Sequence, residues 1–183
     1  QFPGGMAAIL GLDIPTLEEI CARSSTPEES VQIANDNCPG QVVISGANAA
    51  LERAMQAAQQ AGARRVVRLA VSIAAHSALM QPAQQAFNQA VDAAPLQPPR
   101  HTVVGNVTAR PIHSLEEIRA DLQAQLTSRV RWTESITWIA AQGVDTFIEL
   151  GSGNVLSGLV RRIYRKAARH ALGEPQDFAA FAV

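Results

Sequence analysis

The sequence predicts an α/β protein in two parts, and three observations carry that reading. Over residues 5 to 71 the apolar pattern runs in the order β-α-β-β-α-β, the ferredoxin-like or split βαβ arrangement. Beyond residue 72, strand-like runs alternate with helical ones, as in part of a parallel sheet. The 183 residues are 47% hydrophobic, long and apolar enough to build a buried core.

The first part reads as follows. Residues 6 to 11, MAAILG, are a short apolar strand. Thr16 and Glu19 fit a capping box behind Pro15, which predicts a helix over 17 to 24. SVQIAN, 30 to 35, reads as a second strand. Pro39-Gly40 punctuates it, and QVVIS, 41 to 45, is a third strand rich in β-branched residues. Residues 47 to 61 put Leu51, Ala54, Met55 and Ala58 on one helical face, with Gly62 as a stop. RRVVRLAV, 64 to 71, is the fourth strand.

In the second part, the apolar run from Val67 to Ala75 delivers His76 to what reads as a strand end. Residues 77 to 94 look helical, with Pro82 in the first turn or breaking it. Pro95, Pro98 and Pro99 make a stiff connection, HTVVGNV (101 to 107) a strand, and Ala109-Arg110-Pro111 a turn. Ser114 and Glu117 form a further capping box, opening a helix to about Leu126. Thr133 is the expected cap of a helix ending at Gly143, and VDTFIEL, 144 to 150, a strand of the buried type. Gly151-Ser152-Gly153 then turns into a helix over about 154 to 169. Two strands do not make a doubly wound sheet, so residues 72 to 170 call for neighbours from elsewhere. Residues 171 to 183 read as a loosely ordered tail. The opening, Gln1 to Gly5, has no initiator Met and reads as a start inside something larger.

Composition narrows the function classes. A formal net charge of -1 argues against nucleic acid or an anionic membrane as the main partner. No apolar run reaches the length of a membrane span, and no signal peptide is visible. Cys21 and Cys38 fit neither a metal site nor a disulfide scaffold, so a reducing, cytoplasmic setting is the simplest expectation. There is no Walker loop, no His-Glu-x-x-His, no paired-Cys motif and no Gly-x-Ser-x-Gly elbow. Neither cofactor nor metal is implied, and no hydrolase-type nucleophile is announced.

Among candidate residues His76 comes first. A His at a strand-to-helix junction can expose its ring while its backbone is held. Imidazole, with an ordinary pKa of about 6.5, is the usual general base for a hydroxyl or thiol. The same position also suits a merely hydrogen-bonded His. His101, His113 and His170 lack ligand spacing and read as surface or structural residues. Gly151-Ser152-Gly153-Asn154 is either an anion cradle or a tight turn. Arg161, Arg162, Arg165, Lys166 and Arg169 are either a solvated helix face or a docking surface for an acidic partner or a phosphate. Cys38 reads as a small buried residue.

Five blocks, MAAILGLD, NCPGQVVISG, VSIAAHSALM, QLTSRVRWTESI and QGVDTFIELGSGNVLSGLVRRI, follow one another from about Met6 to Ile163. In content and order they resemble the malonyl-CoA:acyl carrier protein transacylase family. The resemblance implies a large α/β-hydrolase-like domain with a small ferredoxin-like domain inserted in it. Residues 5 to 71 would be the small domain, and 72 to 170 the C-terminal portion of the large one. The implied chemistry moves malonyl from coenzyme A to a serine on a Gly-His-Ser-Leu-Gly elbow. From there it passes to the phosphopantetheine thiol of acyl carrier protein. His76 would be the base, its other ring nitrogen held by the backbone carbonyl of Gln125. Asn35 and Asn37 would line the thioester channel as substrate contacts. The implied partners are malonyl-CoA, acyl carrier protein and the missing N-terminal half of the domain; no nucleic acid and no membrane are expected.

The match has departures. Arg129 and Ser152 stand where the family often has Pro, and Ala74-Ala75 is not its usual malonyl-selecting sequence. The serine elbow, a carboxylate-pairing arginine and an oxyanion donor are missing, so the chain alone is predicted inactive. Two other readings stay open: a non-catalytic ligand-binding or regulatory module on the ferredoxin-like sheet, and the acyltransferase region of a polyketide synthase.

Overall fold

The computed structural model describes residues 4–181. Its first part is a sheet of β1 (Gly4–Leu10), β2 (Val31–Cys38), β3 (Gln41–Ala47) and β4 (Arg65–Arg68). Helices α1 (Ile14–Ser24) and α2 (Asn48–Gln60) connect them in the order β-α-β-β-α-β. The strands lie in the order β2-β3-β1-β4. Each neighbouring pair is antiparallel, with Ala7 opposite Ile44, Ile33 opposite Ile44 and Ala8 opposite Val67.

Strand periodicity separates the two faces of this sheet. Ala7, Ile9, Val31, Ile33, Val42 and Ile44 pack against Leu17, Ile20 and Cys21 of α1 and against Leu51, Ala54 and Ala58 of α2. Burying each large aliphatic side chain there contributes roughly 1.5–3 kcal/mol. The opposite face is thinner: Met6, Ala34 and Val43, with Ala8, Leu69 and Ala75 against them. That second face carries the chain leading to His76.

Helix α1 starts earlier than the capping-box reading places it. Asp13, not Thr16, is the cap: its carboxylate accepts from Thr16 N–H at 3.0 Å. Pro15 is accommodated because first-turn N–H groups have no helical partner to lose. The expected box at Ser114 is formed in both directions. Thr133 is not a cap. Helix α5 (Trp132–Ala141) opens at Arg131, and the Thr133 hydroxyl instead donates to Asp36 Oδ1 at 2.6 Å.

The second part comprises a 3-10 turn (Ala78–Met80), α3 (Gln81–Ala93), a short antiparallel pair β5 (Val103–Val104) and β6 (Pro111–Ile112), α4 (Leu115–Ala124) and α5. Then come β7 (Thr146–Leu150), α6 (Val155–Ile163), β8 (Ala168–Leu172) and α7 (Pro175–Phe181). Strands β7 and β8 are parallel, Ile148 opposite His170.

Three expectations are corrected here. The fourth strand stops at Arg68 rather than 71: its ladder with β1 ends at Ala7 opposite Arg68, and after Leu69 N–H donates to Met6 O at 2.9 Å the chain leaves the sheet edge. The helix expected over 154 to 169 stops at Ile163, and Ala168 N–H turns to Asp145 O at 2.8 Å to start β8 beside β7. The tail reading fails at α7, whose start is held by Asp177 Oδ2 accepting from Gly173 and Glu174 N–H at 2.9 Å. Strand β7, buried in sequence type, leaves Ile148 45% and Leu150 70% exposed. Among the described residues, no helix is long and apolar enough to cross a membrane, and no His, Cys, Asp and Glu cluster suits a metal ion.

Candidate active site

The segment that presents His76 is irregular from residue 69 onward, not a strand end. It crosses the thin face of the sheet. A Cβ at Gly4 would meet Ala74 Cβ at 2.8 Å and Leu79 Cδ2 at 3.0 Å, so only a glycine lets this segment sit so close to β1. Ser77 is buried and fully used: Oγ donates to Ala74 O at 2.7 Å and accepts from Leu79 N–H at 3.3 Å. That excludes Ser77 as a nucleophile in this geometry, despite its place next to His76.

His76 has φ +58°, the left-handed region that non-glycine residues seldom enter. The ring is half-buried, not sealed in the core. Its Nδ1 lies 2.8 Å from the main-chain oxygen of Gln125. A carbonyl only accepts, so in neutral imidazole the proton resides on Nδ1 and Nε2 keeps its lone pair.

Gln125 is the C-terminal cap of α4. Its side chain donates to Asp121 Oδ2 at 3.3 Å, leaving the main-chain oxygen for His76. Helix α4 is tied to α3: Gln84 Nε2 donates to Gln123 O at 2.6 Å, and Gln123 Nε2 to Asp92 Oδ1 at 2.9 Å. The chain after Gln125 then runs along the open edge of β2. Val130 N–H donates to Ala34 O at 2.8 Å, and Asp36 N–H to Val130 O at 2.9 Å. Arg131 grips Glu134, donating from Nε to Oε1 at 2.7 Å, and this hydrogen bond holds the Glu134 carboxyl below the usual range despite partial burial.

Asn35 and Asn37 lie at irregularities of β2, Asn35 bridged to Val130. Among the described residues, neither side chain is hydrogen-bonded to His76 or Gln125. The residue that the sequence reading passed over is Gln32. From β2 it donates to His76 O and Thr127 O, each at 3.1 Å, and accepts from Ala78 N–H at 3.2 Å. The only hint in sequence was a long amide side chain between the apolar Val31 and Ile33.

The remaining motifs resolve blandly. After the turn at Gly151-Ser152-Gly153-Asn154, the N-terminus of α6 is taken by Glu149, which accepts from Leu156 N–H at 3.0 Å and Ser157 N–H at 2.7 Å. The basic run is not one helix face, because Arg169 belongs to β8 and Arg162 reaches Gln41 Oε1 at 2.5 Å. His101, His113 and His170 are exposed, His170 standing edge-on to Phe181 at 4.9 Å. Cys38 is fully buried.

The imidazole of His76 thus stands on a left-handed turn, oriented by a main-chain oxygen, with its second ring nitrogen able to take up a proton. The chain belongs to the acyl transferase domain family, whose model matches residues 1–174. Relatives it matches include malonyl CoA-acyl carrier protein transacylases. That of Bacillus subtilis is 41% identical over 173 residues, which is 94% of this chain and 55% of the relative. An acyl-carrier-protein-S-malonyltransferase structure from Bartonella henselae superposes with TM-score 0.93 at 44% identity, covering 98% of this chain and 57% of that one. A malonyl-transacylase solved in complex with a type II polyketide synthase acyl carrier protein gives TM-score 0.93 at 37% identity, covering 98% and 58%. The chain thus spans about half the length of the relatives it matches.

Proposed function

We propose that this chain is the base-bearing, C-terminal part of an acyltransferase that moves malonyl from coenzyme A to the phosphopantetheine thiol of an acyl carrier protein. The observation that carries the reading is the 2.8 Å contact between His76 Nδ1 and Gln125 O, which leaves Nε2 free for a proton. The hydroxyl nucleophile would come from outside these 183 residues. His76 Nε2 takes the hydroxyl proton as the oxygen attacks the thioester carbonyl. The imidazolium then gives that proton to the departing coenzyme A thiolate. In the second half, Nε2 takes the proton of the carrier thiol, sulfur attacks the acyl ester, and the serine oxygen leaves with the proton. A neutral carbonyl fixes the ring without burying a second charge.

The same reading assigns residues 5–71 to a ferredoxin-like small domain, supported by the strand order β2-β3-β1-β4. It assigns 72–170 to a portion of a large α/β-hydrolase-like domain, with 171–183 following. Exposed Ile148, Leu150 and Val155 suit a sheet that continues into further strands. Asn35 and Asn37, beside the Val130 bridge, are offered as contacts to the thioester. Two free, buried thiols fit a reducing cytoplasm.

The test joins this chain to the preceding half of the Bacillus subtilis relative and measures malonyl transfer from malonyl-CoA to acyl carrier protein. Turnover is expected, with His76→Ala lowering it by about 10²–10⁴-fold. Full turnover in the His76→Ala protein would refute the assignment. The chain by itself is expected to gain no malonyl mass. Saturable small-ligand binding that ignores His76→Ala would favour a non-catalytic module instead.

A further inference from the structure

We propose that Gln32 is a positioning residue for the His76–Gln125 pair, an inference that deepens the functional reading above. Gln32 sits on β2, opposite Ser45 of β3, in the sheet that the His76 segment crosses and the chain after Gln125 flanks. Its amide reaches both sides of the contact. Nε2 donates to His76 O at 3.1 Å and to Thr127 O at 3.1 Å, two residues beyond Gln125. Oε1 accepts from Ala78 N–H at 3.2 Å, two residues beyond His76. Both amide donors and one acceptor site meet complementary partners, so the orientation is fixed by chemistry; a flipped amide would face two carbonyls with oxygen and an N–H with nitrogen.

The pair has no other means of adjustment within its own groups. The acceptor is a main-chain atom, so its position is that of its segment. His76 itself is at φ +58°, a conformation that persists only where surroundings over-determine it. Gln32 supplies that constraint through His76 O and Ala78 N, and it holds the Gln125 segment through Thr127 O. One side chain therefore bridges, directly at the contact, two backbone segments that meet across 49 residues of sequence. Methionine at position 32 would keep the length and remove all three hydrogen bonds. Glutamate would keep the acceptor for Ala78 N–H and set negative charge against the His76 and Thr127 carbonyls.

The test is nitrogen-15 NMR of the His76 ring in this chain, read at a pH where the ring is neutral. The unsubstituted chain is expected to show one tautomer, with the proton on Nδ1. In Gln32→Met the two tautomers are expected to mix, and the Nδ1 proton to exchange with water at least tenfold faster. Gln32→Glu, which keeps one hydrogen bond but turns the other two into repulsion, is expected to show the same change, and it carries the test if Gln32→Met does not fold. A lowered melting temperature with an unchanged tautomer and exchange rate would mark a merely structural residue and overturn the proposal. In the joined enzyme, kcat is expected to fall at least tenfold in Gln32→Met with little change in KM. If His76→Ala leaves transfer intact while Gln32→Met still mixes the tautomers, the functional reading fails and the positioning role stands.

Discussion

His76 Nδ1 and the main-chain oxygen of Gln125 stand 2.8 Å apart, and the Gln125 side chain takes no part in the contact. That side chain points to Asp121, at 3.3 Å. Gln125→Ala is therefore expected to change transfer in the joined enzyme by less than threefold and to leave the His76 tautomer as it is. A hundredfold loss would mean that the amide itself acts on substrate. The contrast with His76→Ala separates a role of the residue from a role of its backbone.

Much of this arrangement was legible from residues alone, for identifiable reasons. Binary patterning gave the β-α-β-β-α-β order because both sheet faces have a regular period of apolar residues, such as Ala7 and Ile9 in β1. The capping box at Ser114 was legible because both partners lie within one turn. What failed depended on distant partners. Val71 and Ile73 look like strand residues, yet they are 45% and 54% exposed, because the chain leaves the edge of β1 after Leu69 to carry His76 across the sheet. Strand β8 was invisible where the expected helix to 169 gives way to the expected tail, since its cause is the parallel ladder with β7. The link from His76 to Gln125 came from resemblance, not from spacing. Gln32 was missed because its three partners are contributed by segments far along the chain.

The backbone of His76 makes a second prediction. At φ +58° a Cβ is crowded against the following carbonyl, at a cost of roughly 1–2 kcal/mol. His76→Gly is therefore expected to be more stable than His76→Ala by about 1 kcal/mol, or roughly 2–4 °C in melting temperature. His76→Asn should fall between them, since Asn tolerates this region better than Ala. Equal melting temperatures for the Gly and Ala variants would show that the turn relaxes when the ring is gone.

The thiols make a third. Burial, with the Glu18 charge adding to it, pushes Cys21 up to about 12. Burial also raises Cys38, with Arg162 opposing and Asp36 assisting. A thiol raised in the folded state keeps its proton where the unfolded chain loses it, so stability falls as pH rises from 9.0 toward about 12. At pH 8.5 both thiols are expected to react with iodoacetamide only as fast as the chain opens, and to react fully in denaturant. Rapid modification of either thiol in the native chain would contradict the burial argument.

Glu149 makes the last. Helix α6 leaves its first N–H groups without helical partners, and the Glu149 carboxylate accepts from two of them, Leu156 and Ser157. Partial burial pushes this carboxyl up, but the N–H groups of Ser157 and Leu156, with the Ser157 hydroxyl, outweigh it and hold it below its ordinary 4.5. A carboxyl lowered in the folded state stabilises above 4.5, and that contribution is lost as pH falls through the folded value. Glu149→Ala is expected to cost about 1 kcal/mol at neutral pH, as for the loss of a helix N-terminal cap. The gap between the two proteins should close as the pH is taken below the carboxylate range, followed by urea unfolding at each pH. The unsubstituted chain should bind inorganic phosphate no better than millimolar at this helix start, since the Glu149 carboxylate already takes the Leu156 and Ser157 N–H groups. A stability gap that is constant from pH 7 to pH 3 would mean that Glu149 acts by packing rather than by charge.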